Sequence, residues 1–141
     1  MKKHVIVAFA YAVAAMACGV FYREFTKFND FTGVTSLGKV HTHLFLLGMV
    51  MFLLVALFDA KLSFSRQKLY KPFMIVYNIG VPLAAALMLV RGIVQVLHTE
   101  TPSGADAAIS GIAGIGHVLI ALGIVFFFIL ILRALKSKDQ Q

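Results

Sequence analysis

The chain has 141 residues, of which 60% are hydrophobic and 13% charged, with a formal net charge of +7. A soluble domain of this length cannot bury so much apolar surface, because small domains bury only part of the surface that their chains carry. The composition therefore excludes an ordinary soluble domain and indicates an integral membrane protein. The basic residues lie at the ends of apolar segments, where membrane topology explains them, so no nucleic-acid partner is expected.

The sequence predicts a single all-α transmembrane domain over residues 1–141. Its four apolar segments run from about 5–22, 38–58, 72–97 and 109–132. Each has about the 17–25 residues that a helix needs to cross the hydrocarbon core of a bilayer. We therefore expect an integral membrane four-helix bundle, which crosses a bacterial cytoplasmic membrane several times and has the lipid bilayer as its main partner.

The first segment also resembles a signal peptide with a lipoprotein-type end. Lys2 and Lys3 precede an apolar run that ends in Ala15-Met16-Ala17-Cys18. We expect this segment to be retained as the first helix. Cys18 is the single cysteine of the chain, so an intrachain disulfide is excluded.

The distribution of lysine and arginine predicts the orientation of the bundle. Nine of the 13 lie in the N-terminus, the connection between the second and third segments, and the C-terminal tail. The connection between the third and fourth segments has none and carries Glu100 and Asp106. Since positive charge stays on the cytoplasmic side, both termini are expected to be cytoplasmic.

Polar side chains that interrupt the apolar segments indicate a site in the outer half of the bundle. They are His41 and His43 in the second segment, Arg91 in the third and His117 in the fourth. At about 1.5 Å per residue, all four fall in the outer half, with His41 and His43 within about one turn of the outer surface and Arg91 and His117 several ångströms deeper. Ionisable residues inside a membrane are costly and usually functional.

Two imidazoles on facing helices suit the iron of haem b. The preferred pair is His41 with His117, because the helix face of His41 also carries Gly48, whereas His43 points with aliphatic residues. His43 remains the alternative ligand. Gly48 and Gly114 would make room for the macrocycle, and the Arg91 guanidinium would pair with a propionate.

Several segments carry a resemblance to a family of short, uncharacterised four-helix bacterial membrane proteins. These are 21–28, 41–44, 91–93 and 109–117, and the resemblance covers nearly the whole chain. It implies the fold and no activity. A shorter likeness is carried by His41-Thr42-His43-Leu44, which is similar to the second-helix motif of the haem–copper oxidase and nitric oxide reductase superfamily. That likeness implies a haem b ligand at His41.

The leading hypothesis from the sequence is a cytochrome b-like membrane protein that transfers electrons, senses a gas or holds haem. A second is a Cu or Zn site or carrier, with ligands His41, His43, His98 and His117. A third is a structural or accessory subunit whose histidines only join helices. No serine or cysteine nucleophile sits beside a base in a recognisable motif, so an enzyme is not expected. The candidate protein partners are a redox partner protein and a second copy of the chain.

Overall fold

The protein is all-helical, with four long apolar helices. The computed structural model describes residues 1–100 and 102–138. The helices are α1 (Lys2–Phe28), α2 (Leu37–Leu62), α3 (Tyr70–Val96) and α4 (Ser103–Lys138), and each is long and apolar enough to cross a membrane. The predicted helical class is confirmed. The helices extend beyond the apolar segments because their charged flanking residues are helical as well.

The apolar residues of these helices lie largely on the outside of the bundle. In the most apolar part of α1 only 11% of the residues are buried, and in that of α4 only 28%. Large apolar side chains on every helix are exposed, among them Phe9, Leu57, Ile79 and Phe128. Because lipid and not water is the solvent in which such a surface is stable, the fold indicates a multi-pass membrane protein.

The bundle has two distinct ends. At the terminal end, α1 begins, α4 ends and the segment 63–69 joins α2 to α3; here Lys138 Nζ donates to the Lys61 carbonyl at 3.0 Å. At the connection end, α1 turns into α2 and α3 into α4; here Thr35 Oγ1 donates to the Gly92 carbonyl at 2.9 Å. Consecutive helices therefore run in opposite directions.

Helices α3 and α4 pack closely because glycines face the opposing backbone. A Cβ added at Gly80 would lie 2.9 Å from the Ile120 nitrogen, and one added at Gly116 would lie 2.9 Å from the Ala84 nitrogen. Small residues at such positions let membrane helices approach until their backbones touch. These two helices thus form the most closely packed pair of the bundle.

Helix α2 contains a π-helical stretch over Leu44–Val50. Tyr77 Oη of α3 donates to the Leu47 carbonyl in this stretch at 2.9 Å, which partly compensates the altered backbone pairing of a π turn. Such turns often occur near functional sites. Here the π turn follows directly after His43.

The start of α2 is fixed on α3 at the connection end. Leu37 is 1% exposed, and a Cβ at Gly92 would lie 2.5 Å from the Leu37 nitrogen. The backbone nitrogen of Ser36 also donates to Gln95 Oε1 at 2.8 Å. These contacts determine how α2 is rotated about its axis, and therefore which way its histidines face.

Candidate functional site

Two imidazoles meet near the connection end, one from α2 and one from α4. The ring centres of His43 and His117 lie 6.4 Å apart, and the ring planes are inclined at 81°. His43 is half-buried and His117 is exposed. A pair of histidines thus faces a shared space at the side of the bundle.

Both rings are held in the same tautomer by their own helices. Nδ1 of His43 donates to the Lys39 carbonyl at 2.8 Å, and Nδ1 of His117 donates to the Ala113 carbonyl at 2.8 Å. Because a carbonyl oxygen can only accept, each Nδ1 carries a proton, so in the neutral form of either ring it is Nε2 that has the lone pair. An Nδ1–H to carbonyl bond is the usual outer contact of a metal-ligating histidine.

His41 does not belong to this pair, which corrects the pairing preferred from the sequence. Its ring stacks on Tyr22 of α1 with centres 6.4 Å apart, and its Cγ would lie 3.6 Å from a Cβ added at Gly19. Two residues along a helix turn the side chain by about 200°. When His41 faces α1, His43 therefore faces α4. The aliphatic helix face of His43 therefore meets α4 at His117.

A lateral cavity of about 320 Å³ adjoins the two histidines. It is open because the part of α2 near the connection end packs mainly on α1 and α3, whereas α2 meets α4 through Met51–Leu62. Besides the histidines, its lining includes two cations, Lys39 and Arg91, and apolar residues such as Met88. A second cavity of about 460 Å³ shares Arg91 as a wall.

Arg91 is already paired with a carboxylate. Its Nη2 donates to Asp106 Oδ1 and to Ser110 Oγ, both at 2.8 Å, and both partners lie on α4. The sequence predicts a propionate as the partner of Arg91, whereas in the structure the chain itself supplies an acidic partner. The other guanidinium N–H groups take no part in these two bonds. Lys39 adds a second positive charge to the same cavity.

The two glycines predicted to make room for a cofactor do not line the cavity. The space beside Gly48 is filled by Tyr11 of α1, whose ring atoms would lie 2.4 Å from an added Cβ. Gly114 is exposed, and an added Cβ there would meet nothing within 4 Å. Gly48 therefore serves the contact between α1 and α2, and Gly114 faces outward.

The four histidines of the Cu or Zn hypothesis do not converge. His41 lies against α1, and the ring of His98 lies 5.6 Å from that of Phe31, centre to centre. Within residues 1–100 and 102–138, no three His, Cys, Asp or Glu side chains are grouped closely enough to hold a metal ion. The structure brings together only His43 and His117 of that set.

A second polar cluster, at the terminal end, was missed from the sequence. His4 is 4% exposed; its Nε2 bonds to the hydroxyl of Tyr70, and its Nδ1 lies 3.9 Å from Asp59 Oδ2. The available signal was Asp59, the single acid at the end of α2, which needs a partner once the chain is folded.

The fold and its histidine pair define a four-helix protein with apolar helices and a lateral polar site. The sequence matches the family described as protein of unknown function (DUF2871) over residues 1–134. The chain therefore belongs to the DUF2871 family. No curated protein and no solved structure matches it. The likeness of 41–44 to the haem–copper oxidase superfamily receives no support from these comparisons.

Proposed function

We propose that this protein binds one haem b in the lateral cavity, where His43 and His117 would hold its iron. The observation that carries the proposal is the pair itself, in which two rings with Nε2 available lie 6.4 Å apart, centre to centre. The proposal keeps the cofactor expected from the sequence and replaces His41 by His43. It includes insertion in a bacterial cytoplasmic membrane with both termini cytoplasmic, as the charge distribution predicts.

The separation of the two rings is compatible with both imidazoles binding one metal. With a metal–nitrogen distance of about 2.0 Å and about 1.1 Å from nitrogen to ring centre, two opposed imidazoles have centres about 6.2 Å apart. Two imidazoles at a tetrahedral zinc ion would have centres only about 5 Å apart. The observed 6.4 Å agrees with the opposed arrangement.

The number of ligands also favours haem over a bare ion. A porphyrin supplies four nitrogens, so two imidazoles complete the coordination of its iron, whereas a structural zinc site needs four protein ligands. The cavity offers Lys39 and Arg91 for two propionates. The open gap between α2 and α4 would admit a flat ring edge-on from the lipid side.

The protein residues would hold the group and set its properties. A haem iron with two imidazole ligands supplies one-electron transfer. The Nδ1–H bonds to the Lys39 and Ala113 carbonyls fix the ring orientations and make both Nε2 atoms better donors. The location near the connection end would let an electron pass to a partner outside the bilayer.

Titration of the purified protein with ferric haem tests the proposal. We expect one haem to bind per chain, with a sharp Soret band that shifts on reduction with dithionite. Failure to take up haem would overturn the proposal. Stoichiometric Cu or Zn without porphyrin would favour the metal-carrier alternative, and co-purification of colourless protein with a larger complex would favour an accessory subunit.

Haem dimethyl ester, which lacks the two propionate charges, tests the role of the cations. We expect the wild type to prefer haem over the ester, and Lys39→Gln with Arg91→Gln to remove the preference, up to about fivefold per partly exposed charge pair. Asp106→Asn should act in the opposite direction, because it frees Arg91 for the ligand. The measurement is a competition titration, and an unchanged preference in all variants would contradict this role.

A further inference from the structure

A basic cavity lies at the terminal end of the bundle, far along the helices from the histidine pair. Its volume is about 510 Å³. Four cations line it. Lys61 lies at the end of α2 and Arg66 just beyond it, and Arg133 and Lys138 lie near the end of α4. Membrane topology explains why basic residues occur at this end. It does not require four of them to surround one cavity.

The backbone around this cavity is well fixed. Phe64 is 0% exposed and packs edge-to-face on Phe127 of α4, with ring centres 5.9 Å apart. Gln67 Nε2 donates to the Leu130 carbonyl at 2.9 Å. The short 3-10 turn Phe64–Arg66 is therefore anchored to α4, and Arg66 and Arg133 line the same cavity.

The positive charges of the cavity are not neutralised by Asp59, the acid nearest along the chain. Asp59 Oδ1 accepts from the Ser65 nitrogen at 2.8 Å, and Oδ2 faces His4 at 3.9 Å. In the described part of the chain, no acidic side chain lines the cavity. All four cations are exposed, so an anion from outside can reach them.

The cavity also has apolar surface, which distinguishes a lipid from a free anion. Leu62 and Ala134 lie in its lining, and the exposed apolar side chains of Leu57 on α2 and Phe128 on α4 lie about one turn farther from this end of the bundle. A free phosphate gains nothing from such a surface. The acyl chains of a phospholipid would cover it while the headgroup sits among the cations.

We propose that this cavity, lined by Lys61, Arg66, Arg133 and Lys138, binds the headgroup of an anionic phospholipid from the leaflet at the terminal end. The phosphodiester would lie between Arg66 and Arg133, since guanidinium groups bind phosphate oxygens in pairs. Basic pockets between transmembrane helices are known to select anionic lipids in this way. The proposal is independent of haem binding.

Native mass spectrometry of the full chain in detergent tests it, with phosphatidylglycerol, phosphatidylcholine and inorganic phosphate as separate probes. We expect one phosphatidylglycerol to be retained per chain, with phosphatidylcholine and phosphate retained far less. Arg66→Gln with Arg133→Gln should weaken retention by about fivefold for each charge removed. The matched control is Lys68→Gln with Lys136→Gln, which removes two charges at the same end from outside the cavity.

Each other outcome counts against the proposal. Equal loss of lipid in the cavity variant and the control would reduce the effect to net charge. Equal retention of phosphatidylglycerol and phosphatidylcholine by the wild type, a measurement that needs no variant to fold, would exclude headgroup selection. Binding of phosphate without lipid would assign the cavity to a soluble anion.

Discussion

Replacing His117 by alanine is expected to abolish stable haem binding. His117 is exposed, so its removal leaves the packing of the bundle almost unchanged while one of two axial ligands is lost. Loss of an outer hydrogen bond to a ligand already costs about 10–100-fold in metal affinity, and loss of the ligand should exceed that. His43→Ala should give the same result, measured as the dissociation constant for ferric haem by absorbance titration.

His41→Ala is the matched control for this experiment. It removes an imidazole that lies on the same helix as His43, only two residues away. The ring of His41 stacks on Tyr22 and does not face His117. We expect its haem affinity to stay within about threefold of the wild type. If His41→Ala loses haem and His43→Ala retains it, the pairing derived from the ring positions is wrong.

Among the single substitutions proposed, Gly92→Ala is expected to lower the free energy of unfolding the most. The added Cβ would lie 2.5 Å from the Leu37 backbone nitrogen and 2.6 Å from Leu37 Cγ, so that the start of α2 must move away from α3. Overpacking of this kind costs about 1–3 kcal/mol. The shift also strains the Thr35 hydrogen bond to the Gly92 carbonyl. Thermal unfolding in detergent should therefore begin at a clearly lower temperature.

Gly111→Ala provides the control for backbone effects of the same substitution. Gly111 lies in α4, and an added Cβ meets nothing within 4 Å. The stability of the Gly111→Ala variant should equal or slightly exceed that of the wild type, because alanine has a higher helix propensity than glycine. Equal unfolding temperatures for Gly92→Ala and wild type would contradict the close contact between Leu37 and Gly92.

The four helices were predictable because each apolar segment matches the thickness of a bilayer. Their true ends were not, since flanking residues such as Arg23 and Glu24 in α1 and Ser103 and Asp106 in α4 are helical without being apolar. Hydrophobic length fixes where a chain crosses lipid. It does not fix where the helical backbone stops.

The candidate site was predictable as a region and not as a pair of residues. The depth of each histidine follows from counting along its helix, which places His43 and His117 toward the same end of the bundle. The rotation of α2 follows from contacts such as Leu37 on Gly92 and Tyr11 beside Gly48. Because no periodicity in the sequence reveals these contacts, the choice between His41 and His43 required the structure.

The charged contacts were missed for a similar reason. Arg91 and Asp106 are separated by a connection, and their pairing depends on how α4 begins after it. His4 is buried because Asp59 and Tyr70, far away in the sequence, meet it at the terminal end. Such pairs arise from tertiary packing, which local patterns do not encode.

The spin state of the ferric iron in the haem-loaded protein, measured by electron paramagnetic resonance, tests most directly that His43 and His117 ligate one iron. We expect a low-spin signal in the wild type, because two imidazoles complete the axial coordination. Either single alanine variant should convert any haem that remains bound to a high-spin form. A high-spin wild type, or a low-spin signal that survives both substitutions, would contradict the account.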